Sequence, residues 1–319
     1  MNTPAGLIPV TVLGGYLGAG KTTVLNHLLS GDHGRRLAVL VNDFGAVNID
    51  ADLIRAHDGD TISLENGCVC CSIADALGDA LDRVLTIDPP PDHIVIEASG
   101  VADPAKVAHY GQGWPGCRLD LVAVMADAET IRSQARDQFV GELVTRQLRG
   151  ADIVLLSKTD LVTPQSAATV TEWITGVVGD DRLVVPVSAG RVDPDLLLAP
   201  WPSMDETDPR PPGPDADTGA AALFDHRSVK IDRPLDRADL EASLATWPAE
   251  IVRVKGLVTL DGGTPDDQSK PGGRHLVQRV GRRRTLEPTN LSGPDRLVLI
   301  SLRDQVDLDA VTDHLTNEG

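Results

Sequence analysis

A glycine-rich segment near the start of the chain has the residue types of a phosphate-binding loop. Residues 15–22, GYLGAGKT, contain two glycines separated by four residues and followed by lysine and threonine. The segment comes after an apolar run and before residues with helical apolar spacing, which is the context that this motif requires. Glycines let backbone N–H groups surround phosphate oxygens, and the helix N-terminus adds positive potential. The predicted nucleotide-binding residues of this segment are Gly15, Gly18, Ala19, Gly20, Lys21, Thr22 and Thr23.

Four side-chain and backbone groups predict phosphoryl transfer to water at this loop. Lys21 is expected to reach the β- and γ-phosphates of the nucleotide, and the Thr22 hydroxyl is expected to ligate Mg²⁺. Glu97 follows a strand-like run, where a carboxylate can hold Mg²⁺ through water. The N–H of Gly100, three residues further on, is expected to meet the γ-phosphate.

A Ser-Lys-Thr-Asp sequence after a later apolar run predicts that the base is guanine. Asp160 can accept hydrogen bonds from the N1–H and the exocyclic amine of guanine, a pair of donors that adenine lacks. The stem of Lys158 can lie over the purine ring, and Ser188 and Ala189 after the next strand would complete the base pocket. Ser157 departs from the asparagine with which the usual GTPase motif begins.

Three of the four cysteines lie within four positions and predict a metal site. Cys68, Cys70 and Cys71 precede Ser72, which has the features of a helix N-cap. A helix N-terminus lowers the pKa of a thiol and favours the thiolate that binds metal. Three thiolates suit Zn²⁺, Cu(I) or a related ion, with an open fourth position. A structural zinc site would need a second cysteine pair, and a disulfide between adjacent cysteines would be strained; the lone Cys117 is expected to be a buried apolar residue.

The elements that position these residues are predicted from hydrophobic patterning. Short β-branched runs alternate with helical patterns over residues 1–200, which predicts an α/β domain with a mostly parallel sheet and helices on both faces. Residues 201–222, rich in proline and aspartate, are predicted to be a linker, and residues 223–319 a smaller α+β domain. The predicted strands of the two domains are Val10–Leu13, Leu37–Val41, Thr61–Leu64, His93–Ile96, Leu121–Met125, Ile153–Leu156, Leu183–Val187, Phe224–Ile231, Glu250–Leu260, His275–Val280 and Arg296–Leu302.

Each chemical motif begins where a predicted strand ends, so the nucleotide and the metal are expected to be neighbours. The carboxyl ends of parallel strands lie on one edge of an open sheet, where ligands bind. Asp43, in a segment after the second strand, is a further predicted catalytic residue at this edge. The arginines at 282–284 are expected to lie at a solvated strand end.

Composition limits the classes of partner and location. A formal net charge of −18 argues against nucleic acid as a main partner, because such binding needs excess positive charge. No apolar run approaches the roughly 20 residues needed to span a bilayer. The first nine residues have neither the basic nor the apolar part of a signal peptide. The sequence therefore predicts a cytoplasmic protein without a membrane partner.

Taken together, the motifs resemble the CobW family of GTPase metallochaperones. The resemblance rests on GGYLGAGKTT at 14–23, VNDFG at 41–45, ENGCVCCS at 65–72, IEASGVADP at 96–104, SKTD at 157–160 and VRVKGLVTL at 252–260. It implies that the cysteines bind Zn²⁺ or Co²⁺ near Mg²⁺–GTP, and that GTP hydrolysis, slow on its own, changes metal affinity or the docking of a client protein. Many relatives carry a histidine-rich stretch between the domains, whereas here the linker is acidic.

Two other functions remain open from the sequence. One is a zinc-buffering protein in which GTP is structural, and the other is a P-loop ATPase or kinase acting on a small molecule, against which Asp160 argues. The physiological metal, the client protein and the oligomeric state, including a homo-oligomer, are also left open.

Overall fold

The computed structural model describes most of the chain and divides it into two compact units. The described residues are 7–31, 33–41, 61–63, 72–179, 182–198, 223–261, 273–281, 283–291 and 293–316. The first unit comprises Met1–Gly179 and Val184–Leu198, and the second comprises Asp180–Leu183 and Ala199–Gly319. Within the described ranges, no helix has the length and apolar character that a membrane span requires.

In the described part of the first unit, seven strands form one sheet in the order β3-β2-β4-β1-β5-β6-β7. The strands are β1 (Ile8–Gly15), β2 (Leu37–Val41), β3 (Thr61–Ser63), β4 (His93–Glu97), β5 (Cys117–Asp127), β6 (Ile153–Ser157) and β7 (Leu183–Pro186). Neighbours from β3 across to β6 pair in parallel. Every residue of β1 and β5 is buried, as expected for strands covered on both faces.

Helices cover both faces of this sheet. They are α1 (Lys21–Ser30), α2 (Ser72–Leu85), α3 (Pro104–Gly113), α4 (Ile131–Gln134), α5 (Gly141–Arg149), α6 (Pro164–Val178) and α7 (Pro194–Leu198). Apolar residues of α2, α3, α5 and α6 share one core cluster with Val10 and Val12 of β1. Because side chains alternate along a strand, Thr11 faces the other way, and its hydroxyl donates a 2.8 Å hydrogen bond to the Leu197 carbonyl in α7.

A cluster of three buried polar side chains connects β1, β4 and β5 on that second face. The Thr11 hydroxyl also lies 2.8 Å from Nε2 of His93 in β4. Asp120 of β5 is fully buried, and its Oδ2 lies 3.8 Å from the same imidazole nitrogen. Buried polar groups of this kind are tolerated because they satisfy one another, so these residues help to fix the relative position of β1, β4, β5 and α7.

The second unit is a five-stranded sheet, among the described residues, in the order β11-β10-β9-β12-β8. Its elements are β8 (Phe224–Lys230), α8 (Arg237–Thr246), β9 (Ile251–Leu260), β10 (Gly273–Val280), β11 (Arg283–Pro288), β12 (Arg296–Leu302) and α9 (Leu308–Thr316). All neighbouring strands are antiparallel. Leu240 and Leu244 of α8 and Leu315 of α9 pack on the same core cluster as Val254 and Leu299 of the sheet.

One strand of this unit was not predicted from the sequence. Arg283 and Arg284 lie at the N-terminal end of β11, in agreement with the predicted strand end, and Arg284 is exposed; Arg282 lies outside the described residues. β11 pairs with β10 from Val280↔Arg283 to His275↔Pro288. The run RRTLEP has little apolar content. β11 is an edge strand, which pairs with a neighbouring strand on one side only, and such strands often carry charged residues. β9 and β10 pair in an antiparallel register with Gly273 opposite Leu260.

The predicted fold class is confirmed in both units, while several element bounds differ. β1 and β5 extend beyond the predicted Val10–Leu13 and Leu121–Met125, because the flanking residues are also buried in the sheet. α2 includes Ser72, which was predicted to precede the helix as its cap. Helix ends defined by hydrogen bonds commonly differ by a residue.

Candidate functional site

The phosphate-binding segment forms a tight loop between β1 and α1. Gly15 ends β1, Gly18 and Ala19 lie in the loop, and Lys21, Thr22 and Thr23 are the first three residues of α1. Gly20 caps the helix at a φ of 93°, a left-handed conformation that other residues adopt only with strain. α1 begins directly after this loop, and the N-terminus of a helix is a site at which backbone N–H groups can bind an anion.

Lys21 is held over this loop rather than extended into solvent. Its ammonium group donates a 3.0 Å hydrogen bond to the Gly15 carbonyl, and the residue is only 8% exposed. The positive charge therefore lies next to the backbone of the phosphate-binding loop, beside the N-terminus of α1. This is the arrangement in which a lysine can neutralise phosphate oxygens.

Glu97 and Gly100 lie beside the loop, as the last residue of β4 and in the turn that follows it. Glu97 is 4% exposed and is the register partner of Leu13 in β1. Gly100 is in close contact with the loop, because a Cβ atom at this position would come within 2.8 Å of the Leu17 nitrogen. Both residues therefore lie next to the phosphate-binding loop. Mg²⁺ binding by Glu97 and γ-phosphate binding by Gly100 remain predictions from the sequence.

The base-reading segment is anchored to the phosphate loop by Ser157. Its buried hydroxyl lies 2.7 Å from the Ala19 carbonyl and 3.2 Å from the Ala126 carbonyl. Serine at the first position of the motif therefore does form an anchor, by donating to the backbone of the phosphate loop. The two segments expected to bind the two ends of a nucleotide are joined directly.

Lys158 adopts a left-handed conformation at a φ of 58°, and Asp127 at the end of β5 holds its side chain. The Lys158 ammonium lies 2.6 Å from Oδ2 of Asp127, whose side chain is 6% exposed. This ion pair fixes the direction of the lysine stem that was predicted to lie over a purine ring. Asp127 was missed in the sequence, because no local pattern shows that the ends of β5 and β6 are neighbours.

Asp160 contacts the loop that was predicted to complete the base pocket. Its Oδ1 accepts a 3.0 Å hydrogen bond from the Ala189 N–H. This bond is the main reason that the pKa of Asp160 is lowered, with smaller contributions from its own N–H and the Ser188 hydroxyl. Nε2 of His27 in α1 lies 2.9 Å from the Ala189 carbonyl, so Ser188 and Ala189 are linked both to Asp160 and to α1.

Gln147 of α5 is a second residue that the sequence analysis missed. Its side-chain amide donates hydrogen bonds to the carbonyls of Gly100 and Ala102, in the turn after Glu97. The available signal was its position on the apolar stripe of α5, three residues after Val144 and beside Leu148. A polar residue on such a stripe is expected to have a buried partner.

Four predicted site residues lie outside the described residues. They are Asp43, Cys68, Cys70 and Cys71. Their roles remain predictions from the sequence. Cys117, by contrast, is described: it is a free thiol, 3% exposed, and burial is the main cause that raises its pKa to about 11. It is therefore a buried apolar residue, as predicted.

Comparison with known protein families gives a match in each of the two units. Residues 9–185 match the family model described as the CobW/HypB/UreG nucleotide-binding domain. Residues 224–317 match the model described as the cobalamin synthesis protein cobW C-terminal domain. The fold and these matches define the chain as a P-loop GTPase.

Curated relatives extend over much of the chain. It is 30% identical over 313 residues to the zinc chaperone CobW of Pseudomonas aeruginosa, covering 86% of this chain and 81% of that protein. It is 33% identical over 269 residues to the zinc chaperone YjiA of Escherichia coli, covering 80% and 83%. A match to the zinc chaperone CobW of a Sinorhizobium species, at 31% identity, covers 60% of this chain and 62% of that protein. The chain belongs to the CobW family.

Proposed function

We propose that this protein is a GTP-hydrolysing metallochaperone that binds Zn²⁺ through its cysteine cluster and delivers it to a client protein. The observation that carries the GTP part is the Ser157–Ala19 hydrogen bond, which joins the base-reading segment to the phosphate loop at one sheet edge. The zinc part is supported by the cysteine spacing and by similarity to proteins named zinc chaperones. Co²⁺ is the second candidate ion, because thiolates accept both.

The nucleotide site has the residues that a Mg²⁺–GTP complex requires. The Thr22 hydroxyl would ligate Mg²⁺ directly, and the buried Glu97 carboxylate beside the loop would hold the ion through a water molecule. Mg²⁺, when bound, would neutralise charge on the β- and γ-phosphates. Lys21 would add a second positive charge, the Gly100 N–H would meet the γ-phosphate, and Asp43 would assist the attacking water.

Guanine selection is proposed to rest on Asp160 with Lys158, Ser188 and Ala189 around the base. The Ala189 N–H and Asp127 orient the two charged side chains before nucleotide binds. Because the pKa of Asp160 is lowered, the side chain stays an ionised acceptor well below neutral pH. An ionised acceptor pairs with both donors of guanine and repels the ring nitrogen lone pair of adenine.

Coupling between nucleotide and metal is the core of the proposal, and it is reciprocal. If GTP raises the affinity for Zn²⁺ by some factor, Zn²⁺ must raise the affinity for GTP by the same factor. Cys68, Cys70 and Cys71 are proposed to sense the nucleotide because they follow β3, whose neighbour β2 pairs with β4. Parallel strands end on the same edge of a sheet, which supports the proposal that a segment following β3 starts near the nucleotide site.

The test is a titration of GTPγS affinity with and without Zn²⁺ in the full chain. We expect Zn²⁺ to change the Kd for GTPγS, Cys70→Ser to remove that change, and Cys117→Ser, a cysteine buried elsewhere, to retain it. Lys21→Ala should abolish GTP hydrolysis. Identical Kd values with and without Zn²⁺ in the wild-type chain would refute coupling, and would favour a zinc buffer in which GTP is structural.

Several broader features accompany this proposal. We infer a cytoplasmic location, since free thiolates for metal binding persist in a reducing compartment. The domain division into residues 1–200, the linker 201–222 and residues 223–319 is retained as a proposal. Stimulation of hydrolysis by a client protein and assembly as a homo-oligomer are tested by turnover measurements with candidate clients and by light scattering.

A further inference from the structure

Gln147 is a buried amide in the middle of α5. It is 1% exposed, although glutamine is rarely buried without a specific partner. Its neighbours on the same helix stripe, Val144 and Leu148, belong to the apolar core cluster. An apolar residue would be the ordinary choice for this position, so the amide requires an explanation.

The amide is used to hold two backbone carbonyls. Nε2 of Gln147 donates to the Ala102 carbonyl at 2.7 Å and to the Gly100 carbonyl at 3.1 Å. Both acceptors are oxygens, so both hydrogens of the NH₂ group are used. A carboxylate or an apolar side chain of similar size could make neither bond.

The held segment is the turn between β4 and α3, on the side of the phosphate loop. At its start, the Ala98 N–H donates to the Leu13 carbonyl of β1 at 2.9 Å. At its end, Asp103 caps α3 and forms an ion pair with Arg146 of α5 at 3.3 Å. Between these points, Gly100 touches Leu17 of the phosphate loop.

Gln147 therefore fixes the middle of a turn whose two ends are fixed by other residues. Fixing the Gly100 carbonyl restricts the peptide plane that follows Gly100, and fixing the Ala102 carbonyl holds the end of the turn. A glycine has no Cβ to restrict its own backbone, and without the amide it would sample more conformations. The Gly100 N–H lies in the peptide plane that precedes this residue, and the carbonyl of that plane, on Ser99, accepts a 2.9 Å hydrogen bond from the Ala102 N–H. The direction of the Gly100 N–H therefore depends on the position at which Gln147 holds Ala102.

We propose that Gln147 is a positioning residue that directs the Gly100 N–H toward the γ-phosphate, and that α5 thereby sets the preference for GTP over GDP. The inference rests on the proposed contact between Gly100 and the γ-phosphate. GDP has no γ-phosphate, so its binding does not use this contact. Loss of the amide should weaken the binding of triphosphate and leave that of diphosphate unchanged.

The experiment measures the Kd of GTPγS and of GDP for the zinc-free full chain with Mg²⁺. Gln147→Met removes the donors with little change of volume, and Gln147→Glu keeps the shape but replaces the donors with acceptors. We expect both variants to bind GTPγS about tenfold more weakly, the effect of one misplaced hydrogen bond to a charged group, and GDP within twofold of wild type. Gln165→Met, the same change at an exposed site of α6, should alter neither Kd.

The ratio of the dissociation constants of GTPγS and GDP distinguishes a loss of Gly100 positioning from a general loss of structure in the nucleotide site. Thermal unfolding with saturating GDP reports whether each variant is folded. Equal loss of GTPγS and GDP binding, or no loss of either in folded variants, would overturn the inference. Absence of a zinc effect on the wild-type chain would instead refute the coupling proposed above and would leave the role of Gln147 intact.

Discussion

The hydroxyl of Ser157 offers a direct test of how the base-reading segment and the phosphate loop act together. The hydroxyl lies 2.7 Å from the Ala19 carbonyl, and Ser157 is 2% exposed. Ser157→Ala removes this oxygen and adds nothing in its place. The substitution leaves the Ala19 carbonyl, on the loop that precedes Lys21, without this donor.

The expected cost follows from burial. A neutral hydrogen bond contributes about 1 kcal/mol, and a buried carbonyl that loses its partner costs roughly 1–3 kcal/mol. We therefore expect the free energy of unfolding to fall by about 1–2 kcal/mol. Both segments are proposed to bind parts of the nucleotide that GTPγS and GDP share, so each nucleotide should bind about three- to tenfold more weakly.

Urea unfolding of the nucleotide-free chain measures the first quantity, and a fluorescent-nucleotide titration measures the second. Ser133→Ala is the matched control, because its hydroxyl also donates to a backbone carbonyl at 2.7 Å but from an exposed position. It should change neither quantity appreciably.

The ratio of GTPγS to GDP binding also distinguishes the expected effect of Ser157 from that of Gln147. A selective loss of GTPγS binding in Ser157→Ala, with GDP binding intact, would contradict the reasoning, since that pattern is expected only of the turn after Glu97. An unchanged free energy of unfolding with unchanged nucleotide affinities would show that the Ser157 hydroxyl does not stabilise the connection between the two segments.

Two further predictions concern the base pocket and the buried thiol. Asp160→Asn should weaken GTP binding by roughly a hundredfold or more, because the negative charge is lost and an NH₂ donor replaces one of the two acceptors that guanine needs. The variant should favour xanthosine triphosphate, whose C2 carbonyl can accept from the new amide. Competition binding would show no such switch if Asp160 did not contact the base. Burial raises the pKa of the Cys117 thiol to about 11 from 9.0. A raised pKa means that the folded chain retains the proton longer than the unfolded chain, so this contribution to stability is complete below about pH 9 and is lost as the pH rises toward 11. In urea unfolding, the wild type should therefore lose stability relative to Cys117→Ser as the pH rises through that range. A thiol reagent at pH 8 should label the folded wild type and the folded variant equally. Faster labelling of the folded wild type would contradict the burial of this thiol.

The sequence predicted the local parts of the site because each depends on contiguous residues. The glycines and Lys21 share one short segment, and Lys158 and Asp160 share another. Strands such as Leu37–Val41 and Arg296–Leu302 were predicted at their observed bounds from apolar runs. β11 was missed because its pairing with β10, and not its own composition, makes it a strand.

The sequence by its local patterns gives the chemical motifs: a phosphate-binding loop, a predicted guanine-reading segment, a predicted cysteine metal site, and an alternation of strands and helices that predicts their place at one edge of a sheet. Only the tertiary structure decided which residues join these parts. The Ser157–Ala19 bond spans 138 positions and the Gln147–Gly100 bond spans 47. Contacts over such separations depend on which strands are neighbours and on how the helices pack against them, and no local pattern of residues contains that information.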